Sequence, residues 1–218
     1  MSKGPILIAC EESQAVCKAF RKKGFEAYSC DILECSGDHP EWHIQGDAIS
    51  EAYSGKYDLM IAHPPCTYLT NAGVTHLWEN RAAGIKNLDR WVLLAEGSEF
   101  FSLLLNAPIK HIAVENPIMH KYAKELIGCG QQDQLVQPYH FGHMERKATC
   151  FWLKNLPPLE HTNNVYAEMV KLPKREQQRL HYLPPSKDRA KLRSKTYQGI
   201  ANAMAEQWGN FLLRGEES

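Results

Sequence analysis

An α/β fold on an open, mostly parallel sheet is predicted by two observations. Pro5-Ile6-Leu7-Ile8-Ala9, Leu59-Met60-Ile61-Ala62 and His111-Ile112-Ala113-Val114 are short apolar runs of the kind found in strands covered on both faces. Polar or proline-rich residues stop them abruptly, at Cys10-Glu11-Glu12, His63-Pro64-Pro65-Cys66 and Glu115-Asn116-Pro117. In an open α/β sheet ligands bind just beyond the carboxyl ends of the strands, so the chemistry of the chain belongs at such ends.

The elements follow in order. Pro5–Ala9 is the first strand. Ser13 is the expected N-cap of a helix whose stripe is Ala15, Val16, Ala19 and Phe20, closed by Lys22, Lys23 and Gly24. Phe25–Ser29 is a second strand running into Cys30-Asp31-Ile32, an acid where a ribose is often held. Residues 33–43 read as loop, and His43–Ala48 as a short strand with Asp47 near its end. Tyr57–Ala62 is the central strand. A long helical region is expected from about Trp78 to Asn106, burying Trp91, Leu94, Ala95, Phe101, Leu104 and Leu105. His111–Val114 repeats the strand-then-proline pattern and puts Glu115 at its end. Met119–Ile127 is a short helix closed by Gly128. Gln134–Tyr139 and Thr149–Leu153 suit an antiparallel pair ending the sheet. Leu156-Pro157-Pro158-Leu159 marks a boundary, Tyr166–Leu180 looks helical, and a last helix runs from about Gly199 to Leu213.

Composition narrows the class. Hydrophobic residues make up 44% and charged residues 23%, the balance of a globular protein. The net charge is +0, so overall charge does not indicate nucleic acid. Its distribution is uneven: Lys171–Lys195 holds nine Lys/Arg against two acids, and Met1–Tyr57 six against nine, so the basic segment suits either a phosphate backbone or a solvated face. The seven cysteines include no Cys-x-x-Cys pair, which argues against a disulfide framework and a structural zinc site. His43, His63 and His76 match no metal-ligand spacing. Without a leader-like N-terminus or an apolar run near ~18 residues, a cytoplasmic chain with no membrane span is expected.

Cys66 sits at the tip of a stiff loop, because neither Pro64 nor Pro65 has an N–H and each disfavours helix in the residue before it. A thiol there is placed for nucleophilic attack; on this stretch alone a buried structural cysteine is equally consistent. Glu115 is a candidate acid and Arg146 a candidate cation. Together the three suit one reaction. Cytosine C5 is too weak a nucleophile to take a methyl group unaided. A thiolate adding at C6 activates it, a carboxylic acid at N3 stabilises the charge so created, and an Arg holds the base.

On these residues the chain resembles the DNA cytosine-5 methyltransferases, in a compact, phage-like form. Pro64-Pro65-Cys66 is similar to the family's nucleophile motif, Val114-Glu115-Asn116-Pro117 to its Glu-Asn motif, and Glu145-Arg146-Lys147 ahead of Thr149-Cys150-Phe151-Trp152 to its Arg motif. Asp31-Ile32 and Gly46-Asp47-Ala48 match its two cofactor acids, and Gln198–Ala203 its C-terminal helix motif. The resemblance implies a class I methyltransferase (Rossmann-like) fold with an antiparallel edge pair, and S-adenosylmethionine as cofactor. It also implies catalysis by Cys66, Glu115 and Arg146, and a cofactor site of Glu11, Asp31, Ile32, Asp47, Ala48, Pro64 and Asn202. A duplex target would have to be flipped out of the stack.

Two departures qualify it. The family's first loop is glycine-rich; here it is Ala9-Cys10-Glu11-Glu12-Ser13. The family's target-recognition region is reduced to a basic insertion at about 155–195 within a single domain spanning 1–218. Lys187, Arg189, Lys191 and Arg193 in it are candidate phosphate contacts to DNA. The alternatives are the same chemistry on a free nucleotide or RNA base, and an inactive methyltransferase-like fold that binds nucleic acid or protein.

Overall fold

The computed structural model describes residues 4–187 and 189–214. Strands β1 (Ile6–Ala9), β2 (Ala27–Asp31), β3 (His43–Gln45) and β4 (Leu59–Ala62) are followed by a small hairpin, β5 (Trp78–Asn80) and β6 (Ile85–Lys86). Then come β7 (His111–Asn116), β8 (Gln134–Val136) and β9 (Thr149–Lys154). The helices are α1 (Ala15–Lys22), α2 (Ala48–Ala52), α3 (Leu88–Leu105), α4 (Lys121–Ile127), α5 (Tyr166–Met169), α6 (Lys174–Gln177), α7 (Arg189–Ser194) and α8 (Gln198–Arg214).

The main sheet runs β3-β2-β1-β4-β7-β9-β8. β9 pairs antiparallel with both neighbours, while the remaining pairs are parallel. That order, with one reversed strand inserted next to the edge, is the class I S-adenosylmethionine-dependent methyltransferase fold. Strand alternation divides the core. Ile6, Ile8 and Ile61 pack with α1, α8, Phe151 and Trp208 on one face; Leu7, Met60 and Val114 pack with Leu94, Phe101 and Leu104 of α3 on the other. Leu156 and Leu159, after the sheet, join the first of these clusters.

The structure corrects four expectations. The helix cap before α1 is not Ser13: Gln14 occupies that position, left-handed at φ 58° and without a side-chain cap bond. The expected helix from Trp78 begins only at Leu88, where the Asn87 side chain accepts from the Arg90 N–H. The residues before it form the β5–β6 hairpin, which turns through Gly84 at φ +70°. Within α3, Ala95 is exposed and Ser98 takes the buried place. The 166–180 stretch is two short helices, parted where Pro173 cannot continue the first.

Candidate active site

Sheet register builds the site. Ala62 pairs with Ala9 on one side and Val114 on the other. The next residues, Cys10, His63 and Glu115, therefore leave three adjacent strands at one level, with Glu11 one step on. The backbone N–H of His63 still donates to Ala9 O at 2.9 Å. The His63 ring meets the Glu115 carboxylate, Nδ1 to Oε2 3.0 Å, with the side chains 9% and 12% exposed. Burial raises the Glu115 pKa, but the bond to His63, its charge and that of Lys147 together outweigh burial, so the carboxyl is held below its usual range. Cys66 is half-buried. Burial and then the charge of Glu115 push its thiol up, against Lys147 and Arg193, which pull it down.

The cation beside Glu115 and Cys66 is thus Lys147. Arg146 is exposed; its Nε lies 3.2 Å from Gln177 Oε1, and its guanidinium 6.0 Å from the Tyr139 ring centroid and 5.6 Å from that of Tyr166. The reason is strand alternation. Lys147, Thr149 and Phe151 lie on the same side, and Phe151 is the register partner of Glu115; Arg146 is out of phase. His63, Glu115, Lys147, Thr149, Tyr197, Ile200 and Met204 enclose a small cavity, and Lys147 Nζ lies 5.9 Å from the Tyr197 ring centroid. His63 and Lys147 are the site residues that sequence reasoning missed, though each sits inside a motif that it had singled out.

The start of α8 is held close against this site. His143 Nε2 accepts from the Gly199 N–H at 2.9 Å, and a Cβ on Gly199 would stand 2.0 Å from Phe141 O. Ile200 and Met204 point to the cavity. Asn202, two residues from Ile200 and off that face, is exposed and accepts from Gln198.

The glycine-free first loop is built differently. Cys10 and Gln14 both take left-handed backbone, at φ 58°. The Glu11 carboxylate accepts from the N–H groups of Val16 (2.7 Å) and Cys17 (3.1 Å) and so occupies the N-terminus of α1. Asp31 and Asp47 both raise the Cys10 thiol, after burial, which places the three together. Asp47 caps α2 through Ile49 N and Ser50 N, and the Ser50 hydroxyl, followed by these N–H groups, lowers its pKa against burial. Asp31 Oδ1 accepts from Leu33 N, and Ile32 beside it is 75% exposed. A carboxylate next to an exposed aliphatic face at the end of β2 suits a ribose and an adenine ring, so these residues fit S-adenosylmethionine. Pro64 and Ala48 are buried.

Among the candidate phosphate contacts, Lys187, Lys191 and Arg193 are exposed and Arg189 is half-buried. Arg193, on α7, is the one whose charge reaches Cys66. Another cleft, about 680 Å³, lies elsewhere, between α1 and the turn ahead of β3; there Lys18 pairs with Asp38 and Arg21 donates to Ala27 O. No group of His, Cys, Asp and Glu fit to hold a metal occurs among the described residues, and none of their helices is long and apolar enough to cross a membrane.

No family model and no curated protein matches the chain. Solved structures do. A protein described as a DNA modification methyltransferase encoded within an E. coli prophage is 15% identical, covering 69% of this chain and 46% of its own, at TM-score 0.41. The Entamoeba histolytica methyltransferase EhMeth is 14% identical, covering 75% and 58%, at TM-score 0.46. The S. pombe Dnmt2 methyltransferase is 13% identical, covering 85% and 61%, at TM-score 0.44. This chain thus spans about half to three fifths of the length of these structures.

Proposed function

We propose that the chain is an S-adenosylmethionine-dependent methyltransferase acting on C5 of cytosine in DNA, with Cys66 as nucleophile. The observation that carries this function is the joining of a thiol, a buried carboxyl and a cation at the carboxyl ends of β4 and β7. Glu115 and Lys147 both act on the charge of Cys66. The Cys66 thiolate adds to C6, and Glu115 bonds N3 so that negative charge does not build up on the ring. Lys147 stabilises the thiolate and the base carbonyl. Asp31 and Ile32, with Asp47 beside them at the cap of α2, would hold S-adenosylmethionine, which would supply the methyl group. Loss of the C5 proton to water then expels Cys66 as a thiolate and restores the ring.

The basic run supports a polymer substrate, since Arg193 couples the thiol to a surface suited to phosphates. The same function takes 1–218 as one domain, with 155–195 as an insertion on it; Leu156 and Leu159 share the core of Phe151 and Trp208.

The test is covalent trapping. Wild-type protein with S-adenosylmethionine and an oligonucleotide carrying 5-fluorocytosine should form a stable adduct at Cys66, because fluorine blocks the final loss of a C5 proton. Cys66→Ser should form none and still bind S-adenosylmethionine. Methyl incorporation from labelled cofactor into duplex DNA, single-stranded DNA, RNA and free dCMP identifies the substrate. Incorporation confined to RNA or dCMP would replace DNA in this proposal, and cofactor binding with neither adduct nor incorporation would favour a non-catalytic binder.

A further inference from the structure

His63 has no part in the chemistry just described, yet its ring bonds the Glu115 carboxylate and its charge acts on the buried Glu11. Nδ1 is 3.0 Å from Glu115 Oε2, while Nε2 is buried and has no hydrogen-bond partner among the described residues. Buried polar atoms nearly always have partners, and an imidazole that only packed would have both nitrogens satisfied. The charged and titratable groups facing the ring come from every neighbouring element. Glu11 follows β1 and feels the charge of His63; Glu115 ends β7; Lys147 precedes β9; Tyr197 precedes α8 across the cavity. The ring is nearly buried, on a backbone fixed to Ala9 and followed by Pro64 and Pro65.

The cytosine reaction makes a demand that this geometry meets. Addition at C6 requires a proton at N3, but Glu115 is held as a carboxylate by His63 and Lys147. A proton held beside Glu115 would meet that demand. We propose that His63 is the positioning residue that stores it, passing the Nδ1 proton to Glu115 Oε2 when a base is engaged. The inference rests on the cytosine C5 chemistry proposed above. The proposed step starts from His63 as imidazolium and Glu115 as carboxylate. On engagement the Nδ1–H bond breaks and an Oε2–H bond forms, leaving neutral imidazole and carboxylic acid with the same total charge. The Glu115 O–H bond then breaks as N3–H forms. When Cys66 is expelled, the proton returns from N3 to Glu115 and on to Nδ1. Protonating Glu115 also removes the negative charge that opposes a Cys66 thiolate.

The test compares wild type with His63→Asn, which keeps an N–H for Glu115 near the Nδ1 position but carries no ionisable proton. The readout is the pH profile of methyl transfer to a cytosine oligonucleotide. His63→Asn should lower kcat by about 100-fold at neutral pH, the scale of a general acid–base contribution, with KM changed less than about twofold. The limb on which activity is lost with rising pH should move by about one unit or more. A variant with the wild-type kcat and profile would overturn the proposal and leave the methyltransferase function standing. A wild type that transfers no methyl group to any cytosine substrate would overturn both. Should His63→Asn fail to fold, ¹⁵N NMR of the His63 ring in wild type and Glu115→Gln reads the pair directly. Both ring nitrogens should carry a proton at neutral pH in wild type, and a ring protonated on one nitrogen alone would sink the proposal.

Discussion

The carboxylate of Glu11 accepts hydrogen bonds from the backbone N–H groups of Val16 and Cys17, at 2.7 and 3.1 Å, and so fills the N-terminus of α1 from within the chain. Where a glycine-rich loop would leave those donors open to a ligand, this loop satisfies them itself. Burial is the largest influence on Glu11 and raises its pKa, although His63 and the two N–H bonds act the other way. The sign follows. An acid whose folded pKa lies above its unfolded value loses stabilising effect as pH rises from the usual carboxyl range, near 4.5, to the folded value. Glu11→Gln keeps one acceptor and cannot ionise. Thermal melts should show wild type losing stability relative to Glu11→Gln over that window, and parallel curves would contradict the assignment. Glu11→Ala, which strands both N–H groups, should cost about 1–2 kcal/mol at every pH.

The second prediction concerns the cofactor. Asp31 and the exposed Ile32 are the groups left available at the end of β2, whereas Asp47 is engaged as the cap of α2. Asp31→Ala should weaken S-adenosylmethionine binding by about 1–3 kcal/mol, the scale of hydrogen bonds to a charged group. Asn202→Ala, on the exposed side of α8, should leave binding near wild type. Isothermal titration checks both, and the reverse order of effects would relocate the cofactor.

The fold was legible because strands covered on both faces announce themselves as unbroken apolar runs, and their ends as acids and prolines. The order of the motifs then placed Cys66 and Glu115 at neighbouring strand ends. What local pattern did not settle was direction and capping. Between two consecutive cations, only the pairing of Phe151 with Glu115 decides that Lys147 and not Arg146 faces inward. Ser13 is a good cap by type, yet Glu11 reaches the helix from outside its first turn. The Trp78–Lys86 hairpin carries Trp78 and Ile85, which suit a helix stripe equally well. Trp78 and Trp91 do meet, at 6.0 Å, but across a turn and not along one helix.

The third prediction separates the two cations. Lys147→Met should lower methyl transfer by about 100-fold, as removal of a charge-stabilising donor does. It should also slow alkylation of Cys66, since Lys147 is one of the charges pulling the thiol down. Arg146→Met removes an exposed side chain from Gln177 and two tyrosines; it should cost about 1 kcal/mol of stability or less and leave Cys66 alkylation unchanged. Mass mapping of the labelled cysteine distinguishes Cys66 from the other six. Equal effects of the two substitutions on Cys66 would mean that the site uses both.

The last prediction concerns Arg193. Lys187, Lys191 and Arg193 are all exposed on one basic stretch, but Arg193 alone of these acts on the Cys66 thiol. A phosphate bound by the stretch would neutralise part of the charge that favours the thiolate, unless Arg193 remains directed at the nucleophile while its neighbours hold the backbone. The substitutions should therefore divide by role. Lys187→Ala and Lys191→Ala should weaken binding to an oligonucleotide. Each should also reduce the slope of log affinity against log salt, by about 0.9 for every duplex phosphate that is no longer neutralised, or about 0.7 on a single strand. They should leave the rate at saturating oligonucleotide within about threefold of wild type, because interactions equal in the ground and transition states change KM alone. Arg193→Ala should lower the saturated rate by about tenfold and slow alkylation of Cys66 in the absence of any oligonucleotide. Salt-dependent binding by fluorescence anisotropy, single-turnover methyl transfer and iodoacetamide labelling measure the three quantities separately. If all three substitutions change only the salt slope, Arg193 belongs with the phosphate-binding residues. If none changes it, the run is a solvated face and the polymer substrate loses its support.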